Sequence, residues 1–176
     1  MSKKHPYFIE VWLNGFVKDY LRSISRIPSE KFHPHITLVR PFCLLDNESV
    51  LERRMTYLFQ DINLIQTVLE GKGTFENQGH RINYVPVTFG ADKLIEISDD
   101  LESGLEDYVN FVPKPEKKKT MHVTVDVDGN PDYCPRIDYL IRNLTVIRDK
   151  LIWFSYDLEN KVVLGRRESL EYLKGI

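Results

Sequence analysis

The sequence predicts an α+β fold of two pseudo-symmetric lobes, with antiparallel-rich sheets facing a central cleft and helices outside. Short runs rich in β-branched and aromatic residues alternate with runs whose apolar residues follow a helical period. The order of these runs in the first half of the chain recurs in the second. Each half also carries a His-x-Thr tetrapeptide at the same point in that order, His35-Ile36-Thr37-Leu38 and His122-Val123-Thr124-Val125.

Residues 7–13 read as a leading strand. From 14 to 27, Val17, Tyr20, Leu21, Ile24 and Ile27 keep a helical spacing, and Pro28 ends the run. Residues 35–40 form a β-branched strand expected to stop at Pro41. A second helix follows, with Ser49 and Glu52 as a capping box and Leu51, Met55, Leu58, Phe59 and Ile62 on one face. Residues 67–76 and 81–89 suggest a hairpin turning at Asn77, Gln78 and Gly79.

In the second half, Leu94, Ile97, Leu101, Leu105 and Tyr108 place a helix over 91–109. A polar stretch covers 113–119, and 122–127 is another short strand. Pro135 stands at a favourable first-turn position, and Ile137, Leu140, Ile141 and Leu144 predict a helix after it. Residues 150–157 and 161–168 suggest a last hairpin near Glu159 and Asn160. The expected organisation is therefore one bilobal domain over 1–176, with lobe-like halves at about 14–89 and 91–168.

With 176 residues, 42% of them hydrophobic and 28% charged, the chain has the composition of a packed domain rather than a disordered one. The formal net charge of -2 gives no global basic field for long nucleic acid, so a nucleic-acid substrate must meet a local site. No apolar run has the length of a membrane span, and the polar residues 1–7 do not lead into a signal-peptide core. Cys43 and Cys134 are too few for a disulfide framework and read as reduced thiols, which points to the cytoplasm.

Side chains two apart on a strand share a face, so each His points the same way as its Thr while the apolar residues point into a core. Two imidazoles and two hydroxyls are thereby expected to meet across the cleft. Histidine titrates near neutrality, so one ring can accept a proton while the other donates one. Threonine hydroxyls can hold the non-bridging oxygens of a phosphodiester. This chemistry needs no metal or organic cofactor, and it assigns His35 and His122 as catalytic and Thr37 and Thr124 as phosphate-binding. Finding two such tetrapeptides in a chain with only five histidines makes coincidence a poor account of them.

With these motifs, and above all the stretch Pro34-His35-Ile36-Thr37-Leu38-Val39-Arg40-Pro41-Phe42, the sequence resembles the 2H phosphoesterases, which include 2′-5′ RNA ligase-like proteins and cyclic nucleotide phosphodiesterases. The resemblance implies a bilobal α+β fold and substrates such as 2′,3′-cyclic phosphates, 2′-5′ linkages or related RNA ends. Many members have Leu after the second Thr and a basic residue soon beyond it. This chain has Val125 and then Asp126, whose carboxylate shares the predicted face with His122 and Thr124.

Other candidates follow from position. Arg40, just past the first motif, can balance phosphate charge or form an ion pair. Arg81 and His80 lie at the predicted hairpin, and Tyr84 and Phe42 offer rings for a nucleobase, though a core aromatic is the default for both. Lys114, Lys117, Lys118 and Lys119 stand before the second motif and can steer an RNA strand. His33 precedes His35, with Pro34 between them and no carboxylate nearby in sequence to complete a metal set. His5 is given no role.

The expected function is hydrolysis of a cyclic phosphate or RNA-type phosphodiester, with a nucleotide or RNA end as partner and no membrane or protein partner. The alternatives are 2′-5′ ligation by the same residues and a non-catalytic RNA-end or nucleotide binding module. The sequence leaves open the linkage, the base preference, the oligomeric state and which His is acid.

Overall fold

A computed structural model describes residues 6–28, 32–114 and 117–165. In chain order these form β1 (Tyr7–Trp12), α1 (Gly15–Ile24), β2 (His35–Leu44), α2 (Glu48–Phe59), β3 (Ile65–Gly71), β4 (Gly73–Asn77), β5 (His80–Phe89) and α3 (Ala91–Leu105). They continue with β6 (Val109–Phe111), β7 (His122–Val127), β8 (Cys134–Ile141), β9 (Asn143–Arg148), β10 (Leu151–Asp157) and β11 (Val162–Leu164). The architecture is α+β, with two antiparallel sheets and three helices among the described residues.

The first sheet runs β11-β10-β9-β1-β2-β6 and the second β4-β5-β3-β8, with β7 pairing β5. Ile82, Asn83 and Tyr84 pair with both β4 and β7, so those two strands flank β5 on opposite edges. Each sheet draws strands from both halves of the chain. β1 and β2 are joined by β9, β10 and β11, while β3, β4 and β5 take in β7 and β8. β6 covers β2 only from Phe42 to Leu44, which leaves the outer edge of the His35 segment without a strand partner among the described residues.

Helix α1 turns Val17 and Leu21 inward and ends at Ser25 rather than at Ile27. Helix α2 starts earlier than the capping box suggested: Asn47 is the N-cap, its Oδ1 accepting from Val50 N at 3.0 Å and from the Ser49 hydroxyl at 2.7 Å. Helix α3 follows β5 directly and packs on β2 and β5 as well as on α2. It buries Leu94, Ile97, Leu101 and Leu105. The core beneath is dominated by Phe42, Phe59, Phe154 and Tyr156, with the Phe59 and Tyr156 rings 5.5 Å apart.

Three sequence expectations are corrected here. Residues after Pro135 form β8, not a helix: Ile65, Thr67, Leu69 and Gly71 of β3 pair with Ile141, Tyr139, Ile137 and Cys134. Pro135 is tolerated because β8 is an edge strand, where a missing N–H leaves no ladder bond open. The strand β2 does not stop at Pro41. It runs to Leu44, with the Pro41 carbonyl still accepting from Val112 N at 2.8 Å. The proposed hairpin arm 67–76 is two strands, β3 and β4, separated at Lys72, and only β4 forms the tight hairpin with β5. Gln78 and Gly79 both have positive φ (51° and 80°), as a two-residue turn of the hairpin type requires. The last hairpin ends at β11, and residues 166–168 of its expected second arm lie outside the described residues. His5 and residues 115 and 116 of the polar stretch do so too.

Candidate functional site

The two His strands alternate as their residue types demand. Ile36, Leu38, Val123 and Val125 are buried, while His35, Thr37, His122 and Thr124 are not. The pairing around them is the same in both sheets. Trp12, Val11 and Glu10 of β1 face His35, Ile36 and Thr37, and Pro86, Val85 and Tyr84 of β5 face His122, Val123 and Thr124. The match extends outward on both sides. Leu13 N donates to Pro34 O at 3.0 Å, and Val87 N donates to Met121 O at the same distance. Beyond each Thr one residue is skipped, Leu38 in β2 and Val125 in β7, because Ile9 pairs with Val39 and Asn83 with Asp126.

The imidazoles are held alike. His35 Nδ1 lies 2.9 Å from His33 O, and His122 Nδ1 lies 2.8 Å from Thr120 O. A carbonyl can only accept, so Nδ1 carries the hydrogen in both rings and Nε2 is the nitrogen left for chemistry. Strands β2 and β7 pack against each other, and His122 feels the charge of His35. Burial, and behind it the charge of His35, holds His122 below the usual histidine range, against the raising effect of the Thr120 carbonyl. Its ring is walled by Tyr84, 4.8 Å between centroids, and by the edge-on Phe75 at 5.6 Å. A Cβ on Gly73 would stand 2.4 Å from the Tyr84 ring, so glycine there lets the ring lie across β4.

The remaining candidates fare differently. Tyr84 is the cross-strand neighbour of Thr124 and joins the His122 surroundings. Arg40 turns to other partners: its guanidinium donates to Val112 O, stacks 4.7 Å over Phe111 and sits 3.6 Å from the buried Glu102 carboxylate. Lys119 meets the same Glu102 at 3.1 Å and Asp99 at 2.7 Å, leaving Lys114, Lys117 and Lys118 as the exposed lysines of the run. Arg81 donates from its backbone N and its guanidinium to the Asp128–Gly129 turn, and His80 contacts the Asp128 carboxylate at 2.8 Å. Phe42 is fully buried against Tyr7 and Phe111 and is a core residue.

Asp126 does not share the face of His122 and Thr124. The skipped Val125 shifts the alternation, so Asp126 is 3% exposed and accepts from Asn83 Nδ2 at 3.1 Å. Sequence reasoning gives no cause to single out Glu10, Trp12 and Phe75. Glu10 Oε1 lies 3.6 Å from His35 Nε2, and its Oε2 accepts from Trp12 Nε1 at 2.8 Å. The signal available was a lone carboxylate inside an otherwise apolar and aromatic strand.

His33 stacks on Trp12 with centroids 4.0 Å apart, and its Nε2 is buried without a hydrogen-bond partner. Burial first, then the Arg22 charge, push its pKa down from 6.5 to about 4. The unfolded chain therefore takes up a proton near pH 6.5 while the folded ring stays neutral. The stability contribution is complete above pH 6.5 and is lost as pH falls toward 4, by about 3 kcal/mol at most. We expect the urea midpoint to fall between pH 7 and pH 5, and His33→Phe, which keeps the stack, to flatten that slope. Among the described residues no three His, Cys, Asp or Glu side chains converge as ligands of a metal ion. No described helix is long and apolar enough to cross a membrane.

A cavity of about 550 Å³ opens elsewhere, between the end of α2, the start of β3 and α3, and a smaller one lies at Arg26–Pro28 beside Asp126. Neither is lined by His35 or His122.

No protein-family model matches the sequence, and no curated protein matches it. Solved structures do match in three dimensions. Escherichia coli LigT complexed with 3′-AMP aligns with a TM-score of 0.56 at 13% identity, over 87% of this chain and 88% of that one. The chain has the LigT fold. TT0787 of Thermus thermophilus aligns equally well, with a TM-score of 0.56 and 17% identity over 81% and 87% of the two chains. A protein described as a phosphoesterase aligns at 0.51 and 13% identity, over 92% and 94%. The LigT fold thus accounts for nearly the whole chain.

Proposed function

We propose that the chain is a metal-independent phosphoesterase acting on 2′,3′-cyclic phosphate or 2′-5′-linked RNA or nucleotide substrates. His35 and His122 supply acid–base catalysis, and Thr37 and Thr124 bind the phosphate. One observation carries this reading: two imidazoles on contacting strands, each tied through Nδ1 to the carbonyl two residues back, each with Nε2 left to exchange a proton. The LigT fold and the 3′-AMP bound by Escherichia coli LigT support a nucleotide-sized substrate. For a cyclic phosphate, water attacks phosphorus and yields its proton to the neutral ring. The bond from phosphorus to one ribose oxygen breaks, and that oxygen takes the proton of the charged ring. With a 5′-hydroxyl in place of water, the same forward steps break the bond from phosphorus to the 3′ oxygen and form a 2′-5′ bond, and their reverse cleaves it, so product analysis separates hydrolase from ligase.

The test is a panel of 2′,3′-cyclic nucleotides and of 2′-5′ and 3′-5′ dinucleotides, assayed with EDTA present. Turnover of a cyclic or 2′-5′ member is the expected result. Nucleotide binding that depends on Thr37 and Thr124, with no turnover of any member, would replace the enzyme with a binding module.

A further inference from the structure

A carboxylate stands where a phosphate site has least use for one. In the pairing that sets Trp12 opposite His35 and Pro86 opposite His122, the residue opposite Thr37 is Glu10, while the residue opposite Thr124 is Tyr84. We infer that Glu10 is a specificity-determining residue that sets the charge the site accepts, a singly charged phosphodiester in preference to a doubly charged phosphomonoester. The inference rests on the phosphate-binding reading above and adds to it what the site rejects.

Cross-strand partners share a face with their Cβ atoms about 5 Å apart, so the Glu10 side chain rises beside the Thr37 hydroxyl. Its Oε1 lies 3.6 Å from His35 Nε2, and its Oε2 accepts from Trp12 Nε1 at 2.8 Å. The indole can only donate, so it fixes the carboxylate in place without neutralising it. The side chain is 12% exposed, and water screens its charge little. A phosphate bonded to Thr37 and within reach of His35 Nε2 therefore lies about 6 Å from a fixed negative charge.

The cations that could offset this charge are engaged elsewhere. Arg40 and Lys119 face Glu102 on α3, and Arg81 is bound to the Asp128–Gly129 turn. On α1, Arg22 donates to Phe32 O and acts together with Lys18 on His33. Lys114, Lys117 and Lys118 are exposed on the run before β7. The charge that reaches the His122 ring is that of His35, and none of these lysines or arginines adds to it. Around His122, Tyr84 and Phe75 present rings.

Charge then separates substrate from product. A 2′,3′-cyclic phosphate or a 2′-5′ linkage carries one negative charge at phosphorus. Opening the cyclic ester with water leaves a monoester whose second ionisation falls at about pH 6, so at pH 8 it carries two. At this separation, in a partly solvated site, each added unit of charge lowers affinity about tenfold. Glu10 thus opposes the product more than the substrate, which speeds release and keeps other phosphomonoesters out.

The experiment is calorimetric binding, to the full chain at pH 8, of 2′-deoxyadenosine 3′-phosphate and of its methyl ester. The two ligands differ by one charge, and neither has the 2′-hydroxyl needed to cyclise. In the wild type the methyl ester is expected to bind about tenfold tighter. In Glu10→Gln, which retains an oxygen for the Trp12 indole, both ligands gain, the monoester about tenfold more than the ester, so the two bind about equally. Glu10→Asp, which restores the charge, is expected to return most of the preference. A merely structural role would move both affinities together and leave their ratio alone. A wild-type preference for the monoester, a ratio unmoved in Glu10→Gln, or no binding of either ligand at millimolar concentration overturns the inference. The measurement needs no turnover. A shifted ratio in a chain that turns over no cyclic or 2′-5′ substrate removes the enzymatic reading and leaves the role of Glu10 standing, while turnover with an unmoved ratio does the reverse.

Discussion

Replacing His35 or His122 with alanine is expected to lower turnover of the preferred 2′,3′-cyclic or 2′-5′ substrate by roughly a hundredfold to ten-thousandfold each. Each substitution removes one proton transfer, while the hydroxyls of Thr37 and Thr124 stay in place to bind phosphate. The loss therefore falls on kcat more than on KM. The double variant is expected to be little worse than the poorer single one, because an acid and a base that act in one step fail as a unit. Both rings are partly exposed and project from strands whose buried residues are Ile36, Leu38, Val123 and Val125. Thermal unfolding should therefore shift little. Steady-state kinetics on variants that keep the wild-type melting profile make the check, and near-normal turnover by both would remove the histidines from the mechanism.

The largest effect on stability is expected at Gly90, where β5 passes into α3. Its φ is 83°, and a Cβ there would stand 2.5 Å from the Gln66 carbonyl oxygen and 3.1 Å from the Thr67 methyl. The oxygen belongs to β3, a strand held on one side by β5 and on the other by β8, and it cannot yield as the end of a long side chain would. Gly90→Ala should cost roughly 3–5 kcal/mol, the left-handed backbone supplying about 1–2 and the forced shift of β3 the rest. Gly79 offers the comparison. Its φ is 80°, yet nothing lies within 4 Å of the added Cβ. Gly79→Ala should thus show the backbone part alone, about 1–2 kcal/mol. Chemical denaturation of the two variants measures the difference, and equal losses would mean that β3 gives way easily.

Most elements that organise the candidate site are legible in the sequence because local periodicity encodes them. The apolar spacing of α1, α2 and α3 and the alternation in β1, β2 and β7 need no distant partner to be read. β8 is different. Its Ile137, Leu140 and Ile141 repeat at helical intervals, and they lie in a strand only because β3 presents a free edge, a long-range fact. Asp126 is misplaced by sequence for a related reason, since strict alternation gives no sign of the residue skipped at Val125. The two His-x-Thr segments can be found from residue types alone. Glu10, Trp12 and Phe75 acquire meaning only when β1 is laid beside β2 and β4 beside β5, and no motif marks them. Arg40 and Lys119 look available for phosphate until α3 brings Glu102 between them.

Because β1 lies between β2 and β9, a nascent chain leaving the ribosome cannot finish its first sheet when its first half is complete. One edge of β1 must wait, unpaired, for residues made much later, and β3 waits likewise for β8. Such delayed closure favours slow, all-or-none folding and exposes strand edges meanwhile, so fragments ending before β9 should be bound by chaperones or aggregate rather than persist as a stable half.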